Sequence, residues 1–169
     1  LDFRLSPDGK RLAALLAGRD AGVVLWDLER RRRLALFRVG AATVESQISV
    51  SPAFDRLALR SADGSTRLYR LPDGRALATL VGLAGEEWAS ITPAGFFGAS
   101  ADGARQLSIV RGLDVFGIEQ AQGALYRPDL VQAALAGDPK GVVAAAARRL
   151  DLDRVSDSGT APSVGFAPH

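Results

Sequence analysis

Three stretches of this sequence present similar residues in the same order, and this repeat constrains the fold more than any other feature. The first copy runs from Leu5 to Leu28 and the second from Val50 to Leu71. A third, more divergent copy begins at Ile91. Successive copies begin about 45 and about 41 residues apart, so each is one structural unit that buries its apolar faces against its neighbours.

Each copy alternates turn residues with short apolar stretches. Pro presets φ in a turn and Gly admits a positive φ, while Arg11–Leu16 and Val23–Leu28 have the apolar and β-branched residues of strands. Four short strands in a unit of this length are typical of a β-propeller blade. The positions that we take as structural are Ser6, Pro7, Asp8, Gly9, Trp26, Asp27, Ser51, Pro52, Tyr69, Trp88, Pro93, Gly95, Tyr126, Pro128 and Asp129.

The predicted fold is all-β with a helical appendage. Two to three consecutive four-stranded blades occupy residues 1–118, divided at about 1–43, 44–85 and 86–118. Two short helices follow within 119–150: the first begins at Pro128, which suits the first helical position, and Gly137 closes it. Asp138 is the expected N-cap of the second helix. Residues 151–169 are rich in Ser, Gly, Pro and Asp and predict a flexible linker to a further domain.

Composition narrows the chemistry of this stretch. It has no Cys, and its one His is the last residue, His169. We therefore expect no catalytic residue, no metal site and no cofactor, since Ser–His and Cys–His pairs and Cys-ligated zinc all need these residues. The net charge of +2 predicts no nucleic-acid partner, and no apolar run reaches the roughly 20 residues of a membrane-spanning helix.

The turn and strand motifs resemble the WD-repeat β-propeller family. The Ser6–Gly9 turn followed by Trp26 and Asp27 carries the resemblance, and the second copy, with Tyr69 in the place of Trp26, is a weaker match. The resemblance covers roughly residues 1–118. The family often has a His that joins a hydrogen-bond network with an Asp. Asp20 and Asp63 lie at that Asp position, but the His is absent, so we expect apolar packing to hold the sheets together.

The later part of the chain resembles the end of bacterial proteins that join a WD-repeat propeller to a caspase-like peptidase. Three segments carry this second resemblance: Glu87–Trp88, Ile91–Ser100 and Leu125–Val131. It implies that these segments close the propeller and lead outward. The peptidase's own His and Cys do not occur here, so no active-site residue is carried over.

Several residues have two interpretations. Trp26 and Tyr69 occupy equivalent repeat positions, which favours core packing over ligand stacking. Glu86 and Glu87 are adjacent, and neighbours on a strand point to opposite faces, which disfavours a catalytic pair.

Two groups could form an interaction surface. Arg31 and Arg32 lie in the charge run Arg30–Arg33, which could bind an acidic partner or simply be a solvated turn. The aromatic residues Trp88, Phe96 and Phe97 could bind a partner or pack beneath the helix near Tyr126.

These features predict a non-catalytic scaffold within a larger bacterial protein, which binds a protein ligand and positions or regulates an attached effector, plausibly a caspase-like peptidase. The alternatives are a hydrolase whose active site lies in the propeller channel and a purely architectural spacer. We expect the remaining blades to come from the same parent chain. The isolated stretch should then leave an apolar blade face open, and fold poorly or self-associate.

Overall fold

A computed structural model describes residues 2–16, 18, 21–39, 42–43, 45–111, 114–117, 122–150 and 163–165. The chain divides into two compact units, Leu1–Thr79 and Leu80–His169. The described part is mostly β, which confirms the predicted class at that level. Asp20 and most of the predicted linker lie outside the described residues.

The first sheet follows the chain in order, because each strand folds back beside its predecessor in the order β1-β2-β3-β4. All its strand pairs are antiparallel, with one β-bulge between β3 and β4 at Leu25/Trp26. Its strands are β1 (Asp2–Leu5), β2 (Arg11–Leu16), β3 (Gly22–Asp27) and β4 (Arg32–Arg38).

The second sheet has six strands and again follows the chain, in the order β10-β9-β8-β7-β6-β5. The division between the two units falls within its strand β8. Its strands are β5 (Gln47–Val50), β6 (Arg56–Arg60), β7 (Thr66–Arg70), β8 (Ala76–Gly82), β9 (Trp88–Ile91) and β10 (Phe97–Ala99).

Among the described residues, the third repeat forms no separate four-stranded sheet. Its first two strands, β9 and β10, continue the second sheet. The reason is the short connection after β8, where a 3-10 turn spans Ala84–Glu86 and Leu83 N–H donates to Glu87 C=O at 2.8 Å. A connection this tight returns the next strand beside its predecessor.

The first unit has one apolar core between its two sheets. One side of the first sheet contributes Leu15, Val23 and Leu25, and the second sheet contributes Ile48 and Leu57. All five side chains are almost completely buried. The Asp2 carboxylate also accepts the backbone N–H of Ile48 at 2.9 Å, so a polar contact reinforces this apolar packing.

The second unit contains the helices and a small third sheet in the order β12-β11-β13. Helices α2 and α3 place Leu130 and Val143 against Phe96 and Phe97, and these four side chains belong to one buried cluster. Strand β13 lies within the segment expected to be a flexible linker, and it pairs with β11. The remaining elements are β11 (Ser108–Arg111), β12 (Asp114–Gly117), β13 (Ser163–Gly165), α1 (Gln122–Leu125), α2 (Pro128–Leu135) and α3 (Val142–Arg149).

The second predicted helix begins later than expected. Gly137, with φ of 88°, follows α2 as the sequence indicated. Asp138 is not the N-cap residue, because Gly141 occupies that position and α3 begins at Val142. Asp138 itself has φ of 53°, and its carboxylate reaches forward to the start of α3. Within the described part of the chain, no helix is long and apolar enough to cross a membrane.

Candidate functional site

The first sheet has apolar side chains on both of its sides, and within its own unit the described residues cover only one of them. Directly paired residues of antiparallel strands share a side, so Phe3, Ala14, Val24 and Leu36 lie together across all four strands. Leu5, Leu12 and Trp26 form a parallel row. We call this surface the open face, and its large side chains are Phe3, Leu5, Leu12, Leu16, Val24, Trp26, Leu34 and Leu36.

The open face is exposed to solvent at its edges and centre. Phe3 is 57% exposed and Leu36 53%, on the two outer strands. Trp26, on the inner strand β3, is 37% exposed. Soluble monomers rarely expose contiguous apolar patches of this kind, and those that exist commonly mark interaction sites.

The repeat provides an internal comparison for this face. Leu12 pairs with Trp26 in the first sheet, and Leu57 pairs with Tyr69 in the second. The turns before these strands also match, since Ser6 N–H donates to Arg11 C=O at 2.9 Å and Ser51 N–H to Arg56 C=O at 3.0 Å. The open face of the first sheet is therefore the counterpart of the Leu57 face of the second sheet.

The first sheet packs against that counterpart face. Tyr69 is 5% exposed, and its hydroxyl donates a hydrogen bond to Val39 C=O at 3.1 Å. Its ring lies 5.8 Å from that of Phe37. Burial raises the pKa of the Tyr69 hydroxyl above its ordinary value. At the same register position, Tyr69 of the second sheet is covered by a neighbouring sheet, whereas the indole of Trp26 in the first sheet is exposed.

Trp26 consequently departs from the prediction of core packing, whereas Tyr69 is buried. Trp26 and Tyr69 have the same place in their own sheets. Their difference in exposure therefore comes from the neighbouring sheet, which covers Tyr69 and not Trp26. The sequence does contain a signal for the open face: Leu12–Leu16 and Val23–Trp26 are apolar on both sides of a strand. Such runs are typical of strands that are covered on both faces.

The three turn motifs of the repeat all hold the same backbone geometry. Gly9 N–H donates to Ser6 C=O and Gly95 N–H to Thr92 C=O, both at 2.9 Å. In the first two copies the Ser hydroxyl also accepts a backbone N–H, from Arg11 and from Arg56. These residues stabilise turns, and their hydrogen bonds are used within the turns.

The aromatic interaction surface is corrected in part. Phe96 and Phe97 are 1% and 2% exposed and lie in the core of the second unit, so they cannot meet a partner. Trp88 is 52% exposed. The edge of Tyr126 meets Phe97 with ring centroids 5.4 Å apart, which places the Phe97 side chain beneath the start of the helical segment.

The charged candidates are distributed on turns. Asp27 is buried and accepts the N–H of Arg30 at 2.9 Å, which lowers the pKa of its carboxyl group. The next two residues, Arg31 and Arg32, are exposed. Glu87 accepts the N–H of Gly103 at 3.0 Å and so has a structural contact. Among the described residues no group of three His, Cys, Asp or Glu side chains could hold a metal ion.

Comparisons with known proteins leave the family of this chain open. No protein-family model and no curated protein matches the sequence. A hydrazine synthase structure from Kuenenia stuttgartiensis is similar in backbone, with a TM-score of 0.37 and 13% identity. That similarity covers 54% of this chain and 33% of the other. At this TM-score it carries no argument about fold or function.

Proposed function

We propose that this chain is a non-catalytic interaction scaffold, in which strands β1–β4 and β5–β8 are consecutive blades of a β-propeller. The open face is the observation that carries the proposal. In the repeat register it is the counterpart of a face that a neighbouring sheet already covers. A repeat unit of this type buries its faces against its neighbours, so a further four-stranded sheet is the fitting occupant.

The scaffold would act through its loops and turns. Stacked sheets hold the connecting segments in place, and such segments commonly carry recognition. The exposed turn at Arg31 and Arg32 is one candidate contact for a protein ligand. The resemblance over Leu125–Val131 supports a position near the end of a propeller, next to an attached effector such as a caspase-like peptidase.

The open face predicts self-association of the isolated chain. Replacing Phe3 and Leu36 by Glu places two charges on that face without touching the core between the sheets. We expect the wild-type chain to form species heavier than 17.8 kDa that grow with concentration, and the double variant to be a monomer of 17.8 kDa. Size-exclusion chromatography with light scattering measures both masses, and far-UV circular dichroism checks that the β content is equal.

A matched control introduces two Glu residues elsewhere. Gln47 and Ser49 are exposed residues of β5, on the side of the second sheet opposite Leu57, so Gln47→Glu with Ser49→Glu should associate like the wild type. A wild-type chain that remains a 17.8 kDa monomer at every concentration would contradict the proposal that this face needs a neighbour.

A further inference from the structure

The second unit contains a cleft between α2 and α3 that is independent of the sheet stacking in the first unit. Its volume is about 540 Å³, within the range of roughly 300–1,000 Å³ that is usual for small-molecule sites. Phe96 and Leu130, which both belong to the buried core, line it together with Ala146 and Leu150. The size and the apolar lining fit the hydrocarbon part of a small ligand.

Among the described residues, charged groups line this cleft at three positions: Arg127, Asp129 and Arg149. Arg127 and Asp129 form a two-pronged ion pair, with N–O distances of 2.8 and 2.7 Å. Their charges therefore neutralise each other. This pairing lowers the pKa of the Asp129 carboxyl group, so the pair stays ionised near neutral pH.

Arg149 supplies the uncompensated charge of the cleft. Within the described residues its guanidinium has no hydrogen bond and no ion pair, and it is exposed. A guanidinium binds a carboxylate through two parallel hydrogen bonds, which are stronger than neutral ones. An apolar cleft with one free arginine thus has the two features that an amphiphilic anion requires.

We propose that this cleft binds a small amphiphile with a terminal carboxylate. The hydrocarbon part lies against Val142, Ala146 and Leu150, and the carboxylate pairs with Arg149. The Arg127–Asp129 pair lies on the opposite wall and, because its charges neutralise each other, provides no free cation for a second anionic group. The ligand class is therefore a monocarboxylate with an apolar chain.

Octanoate is the probe for this site, with octanol as the uncharged comparison. Isothermal titration of the full 169-residue chain should detect saturable binding of octanoate and binding of octanol that is about tenfold weaker or more, because octanol lacks the charge-assisted hydrogen bonds. The variant Arg149→Gln should weaken octanoate binding by about the same factor and leave octanol binding unchanged.

The neighbouring arginine provides a matched control. Arg148 belongs to the same helix turn but does not line the cleft. Both cations interact favourably with the C-terminal end of α3, so Arg148→Gln removes the same charge and the same helix contribution while leaving the cleft intact. The Arg148→Gln variant should bind octanoate like the wild type. A second variant, Ala145→Phe, fills the cleft and should abolish octanoate binding.

Three results would overturn the proposal. The first is no saturable octanoate binding at millimolar concentration, and the second is octanol binding as tightly as octanoate. The third is an equal loss of affinity in Arg148→Gln and Arg149→Gln, which would assign the effect to the net charge of α3. Circular dichroism of each variant shows that the helices are retained, so that a loss of binding reports on the site.

Discussion

Two glycines in turns of this chain differ in whether the surrounding structure leaves room for a side chain. Gly64 and Gly74 both have positive φ, of 80° and 68°. A Cβ on Gly64 would meet no heavy atom within 4 Å, whereas a Cβ on Gly74 would overlap Cγ of Phe37. The Phe37 ring in turn packs against Tyr69 in the core between the sheets. The sequence predicts both turns, but it does not reveal that only one of them touches the core.

We therefore expect Gly74→Ala and Gly64→Ala to differ in stability. Gly64→Ala should lower the free energy of unfolding by about 1 kcal/mol, the cost of placing a side chain in the left-handed region. Gly74→Ala should lower it by roughly a further 1–3 kcal/mol, because Phe37 must move out of a packed position. Urea unfolding monitored by circular dichroism measures the free energy of unfolding of each variant. Equal losses would show that the Phe37 contact does not constrain Gly74.

At the scale of elements, helix α3 depends on a residue that lies outside it. The Asp138 carboxylate accepts the N–H groups of Val143 and Ala144, both at 3.1 Å. These are among the first N–H groups of the helix, which have no partner within it. Asp138 thus performs the role of a cap from a position before the N-cap, and its positive φ is one that Asp tolerates better than most residues.

Removing this carboxylate should destabilise α3. Asp138→Ala is expected to lower the free energy of unfolding of the second unit by about 1–2 kcal/mol, from the lost cap and from the positive φ. Asp138→Asn keeps an acceptor and tolerates this φ, so it should retain most of the stability. Lys140→Ala, at an exposed position of the same turn, is the control. Hydrogen exchange of the α3 amides resolves the effect, and unchanged exchange in Asp138→Ala would exclude the capping role.

At the scale of the whole molecule, carboxylates in the turns make stability depend on pH. The pKa of Asp8 is lowered by the hydrogen bond from Ser6, that of Asp63 by the one from Ser65, and that of Asp73 by Arg70. A carboxyl group with a lowered pKa in the folded state stabilises the protein above its unfolded-state pKa of about 4. This contribution is lost as the pH falls through the folded-state value.

The urea midpoint should accordingly change little between about pH 7 and pH 5, and fall below about pH 4. Replacing Asp8, Asp63 and Asp73 together by Asn should make the urea midpoint fall less steeply at acid pH. Each group is largely exposed, so each single effect is small and screened by salt. If the urea midpoint of the triple variant falls with decreasing pH as steeply as that of the wild type, these turns do not stabilise the ionised carboxylates.

The positions of the turns, of several strands and of helix α2 could be predicted from the sequence. The Pro and Gly positions mark the turns, and the apolar stretches mark β2, β3, β6 and β7, because strand propensity and turn geometry act over a few residues. Pro128 and Gly137 bracket α2 for the same reason. The apolar runs on both sides of β2 and β3 also indicate strands with two covered faces.

Only the tertiary structure decided which of those faces are covered. Trp26 and Tyr69 have the same register position, yet one is exposed and the other buried, since burial depends on the neighbouring sheet and not on the residue's own strand. The cleft also depends on how distant segments pack, because Phe96, which lies between β9 and β10, meets α2 and α3 there. Sequence periodicity describes the surface of one element, whereas a site arises where the surfaces of several elements meet.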